Sequence, residues 1–259
     1  MKKAEVAVLA LSALGAVAAA RAADMTIYEQ AVANPARSSE DLKRDAREYP
    51  AEVLAFAELE PGMKVADVFG GGGYYSELMS YVVGPKGEVW LVNNQPYEDY
   101  AAKELKAHLA ADRLPNVKHS VVDPKDLKLG KDELDQVWIV MSYHDLFYAD
   151  PENGWPAIDA DDFVDQIYKS LKPGGAFLII DHAARAGVGK SDTQYLHRIE
   201  ESFARSEIER HGFEFAGHFD KLRNPEDKLD VEVFNRQVQH KTDRFVHLYR
   251  KPAKAASGS

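Results

Sequence analysis

The chain has 259 residues, enough for one large domain or two small ones, and its 45% hydrophobic and 29% charged content is that of a globular protein. It contains no cysteine, which excludes disulfides, thiolate nucleophiles, cysteine-based zinc sites and a lipid-modified N-terminal cysteine. A formal net charge of −10, with no local Lys/Arg cluster against it, argues against nucleic acid and anionic membrane as partners, since both need cationic surface.

Lys2 and Lys3 precede an apolar run from Val6 to Ala20, and Ala20-Arg21-Ala22 offers small residues where a signal peptidase reads. The run is short for a membrane span. Residues 1–22 are therefore expected to be a secretory signal, which places the protein in the periplasm or outside the cell. The alternative is an N-terminal helix packed on the domain. This piece is net basic, so the remainder is more acidic still.

Residues 23–60 read as a helical cap. Ser38-Ser39-Glu40-Asp41 has a helix-start composition, Tyr49-Pro50 breaks the pattern, and a second helix runs from Ala51 to Leu59 before Pro61-Gly62. The α/β domain is expected over 61–251, followed by a disordered tail at 252–259.

Lys64 to Phe69 is a buried strand carrying Asp67. It runs into Gly70-Gly71-Gly72-Gly73 and then an aromatic and aliphatic helix from Tyr74 to Val83. Four successive glycines suit neither strand nor helix. They suit a sharp turn whose backbone comes close to a ligand with N–H groups free to donate. The dinucleotide fingerprint G-x-G-x-x-G fails, because its last glycine falls on Tyr75 or Ser76, and no Gly-Lys-Ser/Thr follows to make a P-loop. A glycine-rich hairpin without a ligand is the bland alternative.

The remaining elements alternate. Strands are expected at Glu88–Val92 (ending at Asn93-Asn94), Val117–Val122 (ending at Asp123), Leu134–Met141 (running into Ser142-Tyr143-His144-Asp145) and Ala176–Ile180 (ending at Asp181-His182). Helices are expected at Ala101–Leu114, Phe163–Leu171 and Gln194–His211. Two last strands, Phe213–His218 and Asp243–Arg250, flank a long polar connection over 220–242, and long connections in compact domains are often functional. Such alternation implies a doubly wound, mostly parallel sheet with helices on both faces. Ligands bind there at the carboxyl ends of the strands, where the glycines, Asn93, Asp123, His144-Asp145 and Asp181-His182 converge.

An acidic residue followed by glycine at the fourth and sixth positions (Asp67, Gly71, Gly73), together with Leu171-Lys172-Pro173-Gly174-Gly175 ahead of the fifth strand, resembles the Rossmann-like, class I S-adenosylmethionine-dependent methyltransferases. The resemblance covers residues from about 50 to 251. Gly71 to Tyr74, Asp181-His182, Leu196 to Ile199 and Arg223 to Pro225 look in particular like a group of signal-bearing predicted methyltransferases of unknown substrate. The resemblance implies a seven-stranded Rossmann-like sheet with an antiparallel C-terminal hairpin. It also implies S-adenosylmethionine as cofactor and methyl transfer to a small-molecule acceptor. In the family the glycine turn with Asp67 cradles the cofactor, the residue at Asn93 serves the ribose, and that at Asp123 the adenine amino group. Two positions depart from the pattern: Phe69 replaces a glycine, and Asn93 an acid. They favour the alternative of an exported binding protein, or a non-methylating enzyme, that keeps the fold.

His144 follows the fourth strand, where the family faces the transferring methyl, and is expected to act as a base near neutral pH with Asp145 orienting it or binding substrate. Asp145, Asp181 and His182 together would be able to hold a divalent cation, although a solvated strand end is the favoured reading. His197-Arg198 reaches the same mouth, or forms a solvated helix face.

Overall fold

The computed structural model describes residues 26–253. The signal expected at 1–22 and most of the tail expected at 252–259 lie outside them. The chain divides into two compact units, one ending at Glu58 and one starting at Leu59.

The first unit is helical, with α1 over 26–32, α2 over Ser39–Glu48 and α3 over Pro50–Phe56. Ser38 caps α2 by accepting the Asp41 N–H at 3.1 Å. Tyr49 takes a left-handed turn (φ 47°), and Pro50 then opens α3 at the position where its missing N–H costs nothing.

The second unit is a seven-stranded sheet in the order β3-β2-β1-β4-β5-β7-β6. The strands are β1 Lys64–Val68, β2 Glu88–Asn93, β3 Val117–Val121, β4 Leu134–Val140, β5 Leu171–His182, β6 Glu214–His218 and β7 Arg244–Arg250. The first five pair in parallel, and β7 lies antiparallel between β5 and β6. The helices are α4 Tyr74–Val83, α5 Gln95–Tyr100, α6 Ala102–His108, α7 Ala160–Ser170, α8 Thr193–Leu196 and α9 Glu201–Arg210. β1 and β4 are covered on both faces, which is why they read as near-continuous apolar runs. The main core joins Val68, Val137, Ile139, Phe163, Ile167, Phe177 and Ile179.

Three elements depart from the sequence reading. The helix expected over 101–114 starts at Gln95 and breaks at Ala101, because Asn94 caps an extra short helix by accepting the Tyr97 N–H at 3.0 Å. β5 begins at Leu171, with the Lys172-Pro173-Gly174-Gly175 stretch carried as an irregularity against β4. The helix expected over 194–211 is two helices, divided where His197 turns left-handed (φ 52°) and Ile199 bridges Ala183 in parallel. This break puts His197 at the end of the sheet.

The layer beneath the glycine turn contains a buried carboxylate, Glu77 of α4. It receives the Tyr81 hydroxyl at 2.7 Å and the Arg113 guanidinium, with His108 Nε2 at 3.2 Å. Burial pushes its pKa up, but His108, Arg113 and Tyr81 outweigh that and hold it at about 2 instead of 4.5. The folded pKa lies below the unfolded one, so the stabilisation is complete above pH 4.5 and is lost as pH falls toward 2. It is worth about 3 kcal/mol at neutral pH. Thermal melts between pH 7 and pH 2 are expected to show this loss, and Glu77→Gln to flatten it. An unchanged pH profile in the variant would remove Glu77 from the account.

Candidate active site at the carboxyl ends of the strands

Asp67 is buried at the end of β1 and accepts the Ser76 hydroxyl from the first turn of α4 at 2.7 Å. The turn closes over it: a Cβ on Gly70 would stand 2.5 Å from the Asp67 carboxyl carbon. Gly71 (φ 56°) and Gly73 (φ 87°) occupy left-handed backbone that a side chain would strain. Gly70, Gly71 and Gly72 remain half-exposed, so their backbone is accessible to a ligand, and Gly73 is buried ahead of α4.

Asn93 does not face outward. It is fully buried at the end of β2, where its Oδ1 accepts the Gly71 N–H at 3.0 Å and its Nδ2 donates to the Gly71 carbonyl at 3.0 Å. One amide thus satisfies both backbone groups of the turn, which a carboxylate cannot do. Asn93→Asp is therefore expected to destabilise the fold by about 1–3 kcal/mol, by setting an acceptor against a buried carbonyl. A thermal melt checks it, and a neutral outcome would mean that the turn does not depend on this amide. Asp123, by contrast, is exposed at the end of β3, where Oδ1 accepts the Lys125 N–H at 2.9 Å.

Phe69 also turns left-handed (φ 55°) but buries its ring. The ring stacks on Tyr97 of α5 at 4.8 Å and meets Phe163 of α7 at 5.1 Å. The Tyr97 hydroxyl donates to Asp145 Oδ2, beyond β4. Burial, and then the Asp145 charge, push the Tyr97 pKa well above its ordinary value, so the hydroxyl keeps its proton. Nothing in the hydrophobic pattern singled out Tyr97. The Asn94 cap, three residues earlier, was the available signal.

Asp145 belongs to a cluster. The 3-10 turn His144–Phe147 follows β4. The His144 Nδ1 lies 2.7 Å from Asp181 Oδ1, and its backbone N–H donates to Asp181 Oδ2 at 2.7 Å. His144 Nε2 lies 3.3 Å from Asp145 Oδ1, and His197 Nδ1 lies 3.6 Å from that same oxygen. Burial lowers the His144 pKa, but Asp145 and Asp181 overcome it and push it up to about 9. His144 is thus clamped between two carboxylates, one facing each of its ring nitrogens. Asp145 is held below the usual carboxylate range, as the charges of His144 and His197 and the Tyr97 hydroxyl prevail over burial.

Asp181 and His182 lie beside it. Asp181 is fully buried and spends its oxygens on His144 and on the His182 N–H at 2.7 Å, so it orients a neighbour in place of facing a cation. His182 faces Thr242 with its Nδ1 at 2.8 Å from the hydroxyl, and burial followed by the His144, Arg244 and Arg198 charges pushes its pKa well below the usual value. His144, Asp145, Asp181 and His182 do meet at one strand end, but the third member around Asp145 is His197.

His197 is held there from both sides. α8 clips to the segment after β4 through Thr193 Oγ1 to the Phe147 carbonyl (3.1 Å) and Gln194 Nε2 to the Ala149 carbonyl (2.9 Å). Arg198, read from sequence as one of two residues on a solvated face, is fully buried. It pairs with Asp227 at 2.9 Å and donates to the Val231 carbonyl at 2.9 Å and the Ala183 carbonyl at 3.1 Å. The 220–242 connection is thereby tied to the end of β5. A separate cleft of about 460 Å³ opens on the other flank of the 3-10 turn, between Tyr148, Ile158, Lys190 and Arg210.

The strand order is that of the α/β fold of class I S-adenosylmethionine-dependent methyltransferases. Solved structures share it. A SAM-dependent methyltransferase from Aquifex aeolicus superposes with a TM-score of 0.55 at 20% identity, covering 77% of this chain and 88% of that one. A putative methyltransferase from Bacillus halodurans C-125 gives 0.53 at 17%, covering 78% and 98%. The [4+2]-cyclase SpnF gives 0.56 at 17%, covering 85% and 86%. Among curated proteins, the chain is similar to the ubiquinone/menaquinone biosynthesis C-methyltransferase UbiE of Bordetella parapertussis, 26% identical over 139 residues. That match covers 52% of this chain and 46% of the relative, so the chain spans about half the length of the curated relatives it matches. No protein-family model matches the chain.

The residues fit S-adenosylmethionine unevenly. The glycine turn closes over Asp67 with Gly70, Gly71 and Gly72 half-exposed, and Asp123 is exposed at its strand end. Asn93 and Phe69 are turned into the protein.

Proposed function

We propose that this chain is an S-adenosylmethionine-dependent methyltransferase acting on a small-molecule acceptor. The observation that carries the reading is the Asp67–Gly73 turn, with Asp67 tied to Ser76 and Gly71 and Gly73 left-handed, on a sheet of this strand order. Likeness to UbiE over part of the chain supports it. Bound S-adenosylmethionine supplies an electrophilic methyl on a sulfonium. The chain's own contribution is position: the turn would hold the cofactor, and the half-exposed Asp145 and His197 are the members of the cluster an acceptor reaches first.

A second reading is an exported ligand-binding or non-methylating protein on the same fold. The stacked, buried Phe69 and Tyr97 favour it, and a [4+2]-cyclase shares the fold.

Calorimetric titration of the domain with S-adenosylmethionine and S-adenosylhomocysteine separates the two. Micromolar binding that Gly71→Arg abolishes is the expected result. No heat and no thermal shift at millimolar ligand would overturn the methyltransferase reading. Export is part of the proposal, motivated by the N-terminal pattern of residues 1–22. N-terminal sequencing of protein from an expressing cell should find a start near residue 23, and retention of Met1 would sink it.

A further inference from the structure

We propose that His144, Asp145 and His197 form a binding site for one first-row transition dication, zinc or ferrous iron in character. The inference goes beyond the methyl-donor reading and does not depend on it. His144 Nε2 and His197 Nδ1 stand 3.3 and 3.6 Å from one shared oxygen, Asp145 Oδ1. All three donor atoms lie within 4.8 Å of one another. Donors bound to zinc at about 2.0–2.1 Å in a tetrahedron stand roughly 3.3 Å apart. A cation at the centre therefore requires small side-chain adjustments and no backbone movement.

The surroundings are those of a metal site rather than of an isolated ion pair. A metal-bound histidine usually gives its second ring nitrogen to a carboxylate that fixes ring and tautomer. Asp181 does this for His144 at 2.7 Å, and is itself fully buried and held by two backbone N–H groups. A ligating carboxylate is in turn hydrogen-bonded on its far oxygen. The Tyr97 hydroxyl does that at Asp145 Oδ2, leaving Oδ1 to face the two imidazoles. The Tyr148 ring covers His197 at 4.8 Å. An ion pair between His144 and Asp145 would not account for the second histidine, whose Nδ1 faces the same oxygen.

Two imidazoles with one carboxylate select zinc or ferrous iron over magnesium or calcium, which prefer all-oxygen sites. Three protein ligands leave a fourth position, as in catalytic sites. Here it lies on the side of Asp145 and His197, whose side chains are 12% and 18% exposed, whereas His144 is buried. A water, hydroxyl or thiol bound there would lose its proton more readily.

The test uses the full chain without an affinity tag, stripped with chelator and titrated with Zn²⁺ and with Co²⁺. Calorimetry should give one ion per chain, and Co²⁺ should show the visible absorption of a low-coordinate ion with nitrogen ligands. Mg²⁺ should compete with neither. His197→Ala, at a partly exposed position, should keep the circular dichroism of the parent, weaken Zn²⁺ by at least about 100-fold and abolish the Co²⁺ spectrum. Asp181→Asn should weaken Zn²⁺ by about 10–100-fold through its effect on His144. No stoichiometric uptake would overturn the proposal. So would uptake that His197→Ala leaves unchanged, since that ion would sit elsewhere on the surface. A negative titration with S-adenosylmethionine leaves it standing, and uptake of zinc says nothing about the methyl donor.

Discussion

Arg198→Met is expected to destabilise the protein by about 3–5 kcal/mol, the cost of leaving one charge of a buried pair without its partner. Asp227 has no exposed side-chain surface and receives Arg198 through both its oxygens, at 3.1 and 2.9 Å. In a chain of this size such a loss lowers the melting temperature by roughly 10 °C. The double variant Arg198→Met/Asp227→Leu should recover only part of it. Asp227 also accepts the Leu229 N–H at 3.1 Å and the Asp243 N–H at 2.7 Å, and those donors would be left behind. Thermal melts of the three proteins check the ordering. A single variant as stable as the parent would show that the pair holds nothing together.

Phe69→Gly has the second large effect, and it acts in two directions. Losing a buried aromatic ring costs about 3–5 kcal/mol. Relief of left-handed backbone at φ 55° returns about 1–2 kcal/mol of that. Net destabilisation of about 1–4 kcal/mol follows from those two figures. The same change restores the glycine of the family pattern and removes the partner stacked 4.8 Å from Tyr97. S-adenosylmethionine is therefore expected to bind the variant more tightly than the parent. Unchanged or weaker binding would mean that the ring does not stand in the ligand's way.

The parallel sheet was legible because its central strands β1 and β4 are buried and print near-continuous apolar runs bounded by turn residues, while the exposed edge strand β3 carried a weaker pattern. The glycine turn was legible because four successive glycines suit neither strand nor helix and fall between a buried strand and a helix. Asp67, His144 and Asp181 sit at strand ends, and strand ends meet at one edge in any such sheet. What escaped the sequence were contacts made across it. The Asn93 amide could be read as a weakened acid, but its pairing with Gly71 depends on two strands lying side by side. Tyr97 lies on a helix of six residues, too short for a periodic signal. The break at His197 falls inside an uninterrupted helical pattern. It is imposed by Ile199 pairing with β5, where its N–H donates to the His182 carbonyl at 3.0 Å, a tertiary contact that overrides local preference.

The 220–242 connection reaches back to Arg198, whose neighbour in the chain is the histidine facing Asp145. The loop between the last two strands and the cluster at the carboxyl ends of the strands are therefore mechanically one part. Shortening the connection to an ordinary hairpin would strand a buried guanidinium and release His197 with it. Replacing the loop would therefore disturb the cluster along with the rim. Variation at the margin of this fold is thus a route by which the setting of His197 can be changed while the glycine turn and the first five strands stay as they are.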